Sequence, residues 1–430
     1  MIEKILGILN RYENILILGF GREWKTSYNF IRKHLPNKHL TILDENQIWE
    51  IGDKNSDILI EKISVERLKQ FDLIIKTPGI SFKWMDTKWL NITSQLELLL
   101  EADRQNVIAI TGTKGKSTTT TLLFEVVKNQ KENTFLLWNI WVPIFEQIEN
   151  FDEDSTLVIE CSSHQLQYIK TSPHIAILLN LYPEHLDHYN NLQEYYDSKL
   201  NIFKYQTEWD FAIFDEQVSD YISNLKSKNT EIWKDIFVQW DFVVLNWKEI
   251  YNVNEKRNLL WEHNLRNIMN IFVVCDILWL DFEKAKKVIS EFKPLEHRME
   301  LVWTFDWVTY YNDSIATIPE STINSLKSIP NVNTLILWWM DRWIDYSKLI
   351  DFVNSSNVEN VICLPKTGHD LQPSLTKKTY KVDNLQEAVK IAKEVTKKWT
   401  VCLLSPAASS YTFFKNFEER GRMFKELVKG

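Results

Sequence analysis

The chain has 430 residues and a formal net charge of −8, with an isoelectric point near 5.7. This length allows two or three domains with a large core, and the acidic balance argues against a nucleic-acid surface. The sequence has no apolar run of membrane-spanning length and no secretory signal at its start. Four widely spaced cysteines without a CxxC pair indicate reduced core thiols in a cytoplasmic protein.

Glycine and tryptophan occur in unusual proportion. The chain has 10 glycines and 18 tryptophans, and the two together make up about 6.5% of it, close to the usual glycine share of about 7%. A UGA codon that the source organism reads as glycine, translated as tryptophan, would produce this pattern. We therefore hypothesise that many or all of the tryptophans stand where the living protein has glycine. Codon identity decides the matter.

The first 80 residues alternate strand and helix. We expect a strand at Asn14–Leu18, a glycine turn at Gly19–Trp24 followed by a helix, and strands at Leu40–Leu43 and Asp72–Ile75. A glycine turn after a strand, with an acidic residue (Asp44) about 20 positions on, is typical of a nucleotide-binding Rossmann unit. The fingerprint alone is weak, because Trp24 occupies its third glycine position.

A phosphate-binding loop follows the apolar strand Val107–Ile110. The residues that form it are Thr111, Gly112, Thr113, Lys114, Gly115, Lys116, Ser117 and Thr118, and a helix is predicted at Thr119–Val127. Backbone N–H groups in such a turn and the helix N-terminus attract phosphate. Lys116 would reach the outer phosphates of a triphosphate and Ser117 would bind Mg²⁺. The loop is shorter than the full Walker pattern, since Ile110 stands where that pattern has its first glycine.

Polar residues follow the next strands along the chain. Glu160 ends the strand predicted at Thr156–Ile159, and His185 lies just beyond the strand Ile175–Leu179. Ligands bind at the carboxyl ends of strands in open α/β sheets, so Glu160 is a natural second contact for Mg²⁺. Lys199 lies 14 residues after His185 on a predicted helix, Leu192–Phe203. Taken alone, His185 could instead cap a helix and Lys199 could be an ordinary surface lysine.

The third part of the chain again alternates strands and helices. Strands are predicted at Val308–Tyr311, Thr334–Leu337, Asn360–Leu364 and Thr400–Leu404, with helices between them. This alternation predicts an α/β fold whose sheets are mostly parallel with helices on both faces. We expect domains at residues 1–102, 103–296 and 297–430.

Eight motifs occur in the order found in the Mur ligases, and the chain resembles that family over nearly its whole length. The motifs lie at 111–118, 160–166, 180–188, 199, 263–267, 297–298, 312–317 and 404–421. The resemblance implies Rossmann-like N- and C-terminal domains around a central P-loop ATPase domain. The last motif favours the member that joins D-glutamate to UDP-N-acetylmuramoyl-L-alanine, with ATP and Mg²⁺, in peptidoglycan precursor synthesis. Trp138, Trp141, Trp261, Trp338 and Trp339 fall where this family carries glycine.

The resemblance also implies roles for individual residues. Lys116, His185 and Lys199 would be catalytic; Ser117, Glu160 and His185 would hold Mg²⁺, together with Lys199 as a CO₂-derived carbamate. Asn264 and Asn267 would lie beside adenine, and Arg298 and Asp313 would hold ATP across a domain cleft. The acceptor nucleotide would contact Asp44, Thr77, Pro78, Gly79 and Asn139. D-glutamate would contact Thr317, Arg342, Ser410 and Phe417, since a guanidinium suits a carboxylate.

Two positions depart from the family pattern. Ile315 stands where many members have lysine, and Arg342 also stands where many have lysine. A sister Mur ligase, a folylpolyglutamate synthase-like ligase and a non-catalytic nucleotide-binding module therefore stay as alternatives. We expect no nucleic-acid partner, no membrane span and a monomeric chain.

Overall fold

The computed structural model describes the chain apart from residues 20–21, 46–53, 138–142, 186–187, 260–261, 294–295, 318, 340–345 and 409–413, and it leaves aside the side chains of Arg22, Glu262, His263, Glu320, Trp338, Trp339, Lys366 and Thr367. The described residues divide into two compact units, 1–292 and 293–430. The first unit contains two sheets and the second contains one.

The first sheet has five parallel strands in the order β3-β2-β1-β4-β5. Its elements are α1 (Ile2–Asn10), β1 (Ile15–Leu18), α2 (Arg22–His34), β2 (Leu40–Asp44), β3 (Ser56–Ile60), α3 (Val65–Leu68), β4 (Leu73–Lys76), β5 (Ile92–Thr93) and α4 (Gln95–Asp103). Strands β1, β2 and β4 are buried along their whole length, as apolar runs in a parallel sheet require. The Rossmann-like alternation predicted for this part is confirmed.

The second sheet has nine strands in the order β14-β13-β12-β11-β10-β9-β6-β8-β7. Its elements are β6 (Val107–Thr111), α5 (Lys116–Lys128), β7 (Thr134–Leu137), α6 (Ile144–Gln147), β8 (Thr156–Glu160), α7 (Ser163–Leu166), β9 (Ile175–Leu178), α8 (Leu192–Lys204), β10 (Phe211–Asp215), β11 (Lys228–Ile232), β12 (Ile236–Gln239), β13 (Phe242–Leu245), β14 (Lys248–Asn252), α9 (Glu262–Ile277) and α10 (Phe282–Glu291). Strands β6 to β12 pair in parallel with one another. Strands β12, β13 and β14 form an antiparallel meander.

The third sheet has six strands in the order β15-β16-β20-β17-β18-β19, parallel except for the β15–β16 hairpin. Its elements are β15 (Glu300–Phe305), β16 (Val308–Asn312), α11 (Pro319–Ser328), β17 (Val332–Trp339), α12 (Ser347–Ser355), β18 (Asn360–Lys366), α13 (Thr367–Leu371), β19 (Lys378–Lys381), α14 (Leu385–Val395), β20 (Val401–Leu404) and α15 (Phe417–Lys429). This unit has its own apolar core on both faces of the sheet.

Local sequence explains where several helices begin. Asn191 caps α8 by accepting a hydrogen bond from the Glu194 amide, and Ser162 forms a reciprocal capping box with Gln165 at the start of α7. All four cysteines are free and buried, as expected. Within the described parts of the chain, every helix is too short or too polar to cross a bilayer.

Candidate active site

The phosphate loop lies at the carboxyl edge of the second sheet, where β6 runs between β8 and β9. The register pairs Ile110 with Glu160 and Thr111 with Leu178, so the residues that follow all three strands meet at one place. Gly115, with a φ of 83°, is the residue before α5. A β-carbon at Gly112 (φ 152°) would lie 3.0 Å from the Leu179 side chain. Both glycines are therefore required by the loop's path.

Two lysines of the loop are fixed by contacts with nearby carbonyl and carboxylate oxygens. Lys116 Nζ donates to the carbonyl oxygens of Gly112 (3.0 Å) and Thr113 (3.1 Å). Lys114 Nζ pairs with Glu184 at 3.1 Å. Burial alone would raise the pKa of Glu184, but the positive charges of Lys114 and His185 outweigh it and the pKa is lowered. The loop therefore carries two cations at the start of a helix, an arrangement suited to a polyphosphate.

Asn180, two residues beyond the end of β9, fixes the shape of the loop. Its Oδ1 accepts from the Lys114 amide (2.8 Å), its Nδ2 donates to the Lys114 carbonyl (3.0 Å), and its backbone oxygen accepts from the Thr113 amide (3.0 Å). Thr113 Oγ1 also lies 3.0 Å from the Tyr195 hydroxyl on α8. From the sequence, Asn180 is recognised only as part of the motif at 180–188. A side chain that hydrogen-bonds to distant backbone groups produces no regular spacing in the sequence.

Lys199 reaches the same loop from α8. It is 2% exposed, and its Nζ donates to the Gly112 carbonyl at 2.8 Å. Burial lowers the pKa of Lys199 well below its usual value, and the positive charge of Lys116 lowers it further. The surface-lysine alternative is excluded by this burial.

Glu160 and His185 lie at the same edge. Glu160 is 4% exposed, and its Oε2 is buried without a hydrogen-bond partner among the described residues. An unpaired buried carboxylate oxygen is costly unless a ligand satisfies it. His185, at a φ of 58°, lies with its Nε2 3.9 Å from Glu184 Oε2. The hydroxyl of Ser117 and the carboxylate of Glu160 are oxygen donors of the kind that Mg²⁺ prefers.

Helix α9 brings two asparagines to the loop. Asn264 and Asn267 are both buried, and Asn267 Nδ2 donates to Asn264 Oδ1 at 3.2 Å. A β-carbon at Gly115 would lie 3.2 Å from Asn267 Oδ1, so this amide borders the phosphate loop. The two residues expected beside adenine are thus adjacent to each other and to the loop.

The described residues that we expect to contact the acceptor nucleotide lie at the carboxyl edge of the first sheet. Asp44 ends β2 and is 6% exposed, and Thr77, just past β4, donates from Oγ1 to the Leu18 carbonyl at 3.0 Å. A β-carbon at Gly19 (φ 92°) would lie 2.3 Å from Thr77 Oγ1. The glycine turn and the segment from Thr77 to Gly79 therefore pack directly together.

The second unit contains the remaining described candidates. Asp313, after β16, is buried, and its Oδ2 accepts from Ser325 (2.5 Å) and Ser405 (2.8 Å). Burial raises the pKa of Asp313 to about 6 although both serines lower it. Arg298 contributes a weaker electrostatic lowering of the same pKa. Thr317 is half-buried in the segment after Asp313.

Phe417 begins α15, and Arg420 fixes the neighbouring segments. The Phe417 carbonyl accepts from Ser314 Oγ at 2.7 Å. Arg420, fully buried, donates to the Ser314 carbonyl (2.6 Å) and the Ala408 carbonyl (3.4 Å). The structure therefore brings Phe417 to the Asp313–Thr317 segment. Sequence reasoning gave Arg420 no role. Three candidates, Asn139, Arg342 and Ser410, lie outside the described residues.

Sequence reasoning missed the buried lysine Lys76. Lys76, the last residue of β4, is 4% exposed and lies 5.7 Å from the ring centres of Phe82 and Tyr168. Burial lowers the pKa of Lys76 and raises that of Glu23, and their opposite charges act against both shifts. A lysine at the end of a strand is ordinarily predicted to be exposed, so the sequence pattern did not indicate that Lys76 is buried.

Known proteins match both the sequence and the fold. Residues 110–273 match the family described as the Mur ligase middle domain. The chain is 36% identical to the UDP-N-acetylmuramoylalanine–D-glutamate ligase of Geobacter sp. (strain M21), with 97% of each chain covered. The chain belongs to the Mur ligase family. A second relative with the same name, from Oenococcus oeni, is 32% identical over 97% of this Mur ligase and 98% of its own length.

Solved Mur ligases share the fold. MurF from Acinetobacter baumannii aligns with a TM-score of 0.63 at 14% identity, covering 96% of this chain and 90% of its own. MurF from Thermotoga maritima, solved with ADP, aligns with a TM-score of 0.59 at 17% identity, covering 96% and 95%. The predicted Mur ligase architecture is confirmed.

Proposed function

We propose that this Mur ligase joins D-glutamate to UDP-N-acetylmuramoyl-L-alanine at the expense of ATP, a step of peptidoglycan precursor synthesis. The observation that carries the proposal is the match over 97% of the chain to D-glutamate ligases. The phosphate loop with Lys116, Glu160, His185 and Lys199 around one sheet edge supports ATP as the energy source.

The reaction needs two displacements. The alanyl carboxylate oxygen attacks the γ-phosphorus of ATP, the bond to the β-phosphate oxygen breaks, and ADP leaves. The amine nitrogen of D-glutamate then attacks the acyl carbon and loses a proton, and phosphate leaves as the amide forms. Both steps concentrate negative charge, so cations and main-chain N–H groups do most of the catalytic work. Lys116 and the amides of the loop from Gly112 to Thr118 are assigned to that charge.

Ser117, Glu160 and His185 are the residues that would hold Mg²⁺, which neutralises phosphate charge when bound. The unpaired Oε2 of Glu160 supports this assignment. We assign Lys199 as a carbamate that completes the site. Its lowered pKa favours the unprotonated amine, which is the form whose nitrogen attacks CO₂ and then loses a proton.

The substrate contacts follow the same logic. Asn264 and Asn267 are assigned to adenine, and Arg298 and Asp313 to ATP. We assign Asp44, Thr77, Pro78, Gly79 and Asn139 to the acceptor nucleotide, and Thr317, Arg342, Ser410 and Phe417 to D-glutamate. We place the enzyme in the cytoplasm, as a monomer.

The decisive experiment is acceptor-dependent ATP hydrolysis. Purified enzyme is given ATP, Mg²⁺ and UDP-N-acetylmuramoyl-L-alanine, and phosphate release is compared for D-glutamate, L-alanine, L-lysine and diaminopimelate. We expect release with D-glutamate above the others. Preference for another amino acid would indicate a sister ligase, and ATP binding without any turnover would indicate a regulatory module. Ile315, whose aliphatic side chain replaces the family's lysine, makes this comparison informative.

A further inference from the structure

Seven of the tryptophans that the structure describes have a left-handed backbone. Trp84, Trp233, Trp240, Trp247, Trp279, Trp307 and Trp399 have φ between 49° and 78°. Of the fifteen non-glycine residues with positive φ in the described chain, these seven form the largest group of one type. A bulky side chain is a genuine outlier in this region, whereas glycine enters it freely. A positive φ is therefore strained for tryptophan and unstrained for glycine.

Three of the seven lie in two-residue hairpin loops. Asn246-Trp247 joins β13 to β14 with both φ positive (51° and 63°), and Asp306-Trp307 joins β15 to β16 in the same way (45° and 66°). Positive φ at both positions defines the type I′ turn, for which Asn-Gly and Asp-Gly are preferred. Trp240 (φ 49°) is the first loop residue between β12 and β13, the position that takes glycine in a type II′ turn.

A fourth tryptophan of this group, Trp279, lies just beyond the end of helix α9. Beyond α9, the Leu280 amide donates to the Cys275 carbonyl (2.8 Å) and the Trp279 amide to the Asp276 carbonyl (3.3 Å). This pair of bonds is the Schellman motif, and Trp279 (φ 55°) occupies its left-handed position, where glycine is usual.

At three of the seven sites the indole ring gives no compensating packing. Trp247 is 93% exposed and Trp279 is 94% exposed, and Trp240 is 86% exposed. An exposed ring contributes little burial energy, so packing does not explain the choice of tryptophan there.

We propose that the natural enzyme carries glycine at these seven positions, and that the tryptophans arise because UGA codons are read as tryptophan. The proposal is independent of the catalytic assignment. The gene's codons test it directly: we expect UGA at all seven, and UGG at most of them would overturn it. Peptide masses of the enzyme from its own cells should show glycine at each site.

A physical test uses paired substitutions at one site. At Trp247, Trp279 and Trp307, the glycine variant should melt about 2 °C or more above the alanine variant, because alanine is strained at positive φ. Trp89 is the control, since it is 74% exposed but has no positive φ; there alanine should be at least as stable as glycine. Alanine variants equal to or better than glycine at all three test sites would refute the proposal.

The segment from Thr77 to Trp84, here called the acceptor-side segment, is hydrogen-bonded to the central part of the first unit. After Gly79 the chain contacts the loop that contains His185: Ser81 Oγ donates to the His188 carbonyl at 2.7 Å, and the Trp84 amide donates to Asn190 Oδ1 at 2.9 Å. The second bond comes from the backbone, so glycine at position 84 would preserve it.

Asn190 continues this connection to α8. Its backbone amide and its Nδ2 both donate to Glu194 Oε2, at 2.9 and 2.8 Å, and Glu194 lies in the first turn of the helix that carries Lys199. The two ends of one amide therefore join the acceptor-side segment to the helix that reaches the phosphate loop.

We infer that Asn190 is a positioning residue that couples acceptor binding to the metal side of the site; this inference rests on the proposed function. For Asn190→Ala we expect the KM for the acceptor and the Mg²⁺ concentration at half-maximal rate each to rise about tenfold, the usual effect of losing one or two hydrogen bonds. The KM for ATP should stay unchanged, and Asn190→Asp, which keeps the Oδ1 acceptor, should recover the acceptor KM more than the Mg²⁺ dependence.

Asn129→Ala, an exposed asparagine at the end of α5, is the control. Unchanged acceptor and Mg²⁺ dependence in an active Asn190→Ala enzyme would overturn the inference alone. A wild-type enzyme without acceptor-dependent ATP consumption would instead overturn the proposed function.

Discussion

The side-chain nitrogen of Lys199 lies 2.8 Å from the carbonyl oxygen of Gly112. A lysine from α8 thus ends on the first glycine of the phosphate loop, in a place from which water is excluded. Because burial lowers its pKa, the unprotonated amine of Lys199 is favoured.

Lys199→Ala should be nearly inactive, and a short carboxylate such as acetate should restore part of the activity by replacing the carbamate oxygens. Phosphate release with the full substrate set measures both effects. Lys204→Ala, at the exposed end of the same helix, is the matched control and should keep wild-type activity. A Lys199→Ala enzyme with normal turnover and no response to acetate would remove the carbamate assignment.

Lys116→Ala should lower turnover at least about 10²-fold, as the loss of a charge-stabilising donor does. The effect follows from the position of its ammonium at the loop carbonyls of Gly112 and Thr113. The measurement is kcat from ADP release, with Lys128→Ala at the other end of α5 as the control. Near-normal kcat in the first variant would contradict the assignment.

Asp313→Asn should lose activity without losing stability. Burial raises the pKa of Asp313 from 3.8 to about 6, so the folded wild type holds this proton at pH values where the unfolded chain releases it. The wild-type free energy of unfolding therefore falls, through this group, as pH rises from about 4 to about 6, and the fall then stops. The variant lacks that term. Its stability relative to wild type should rise across this window by up to ~3 kcal/mol.

Denaturant unfolding at pH 4, 6 and 8 measures this difference. A constant difference between the two proteins across the series would show that the carboxyl of Asp313 is not perturbed by burial.

Gly421→Ala should destabilise the second unit. A β-carbon there would lie 2.2 Å from His297 Nδ1 and 2.9 Å from two ring carbons, and the ring is held by Asn312 at 2.9 Å. Overpacking of this kind costs about 1–3 kcal/mol. Gly7→Ala, in α1 with nothing within 4 Å of the added carbon, should instead gain up to ~1 kcal/mol from helix propensity. Equal stability of the two variants, measured by denaturant unfolding, would contradict this reading of the packing.

The sequence predicted the elements that have a strong apolar signal. The strand predicted at Val107–Ile110 is observed at Val107–Thr111, and the helix predicted at Leu192–Phe203 is one residue longer, ending at Lys204. The strand β3 was missed because its residues are half-exposed or exposed, which gives no buried run. The antiparallel partners β12 and β14 were missed for a related reason, since a short strand with polar ends resembles a loop.

The residues of the site also divide into those that the sequence predicts and those that it does not. The phosphate loop, Glu160 and Lys199 could be predicted because a local motif or a family position marks each of them. Asn180 and Arg420 act on backbone carbonyls and amides that are remote in sequence, and a partner of that kind is visible only once the chain is folded.

The three hairpin loops at Trp240, Trp247 and Trp307 bear on how this enzyme is produced in the laboratory. An expression host that inserts an indole at those corners would deliver a protein with its tightest bends under strain, and poor yield or low activity of that material would say nothing about its chemistry. A synthetic gene recoded for the intended residue would separate the two, and inhibitor screening against this ligase should begin from that gene.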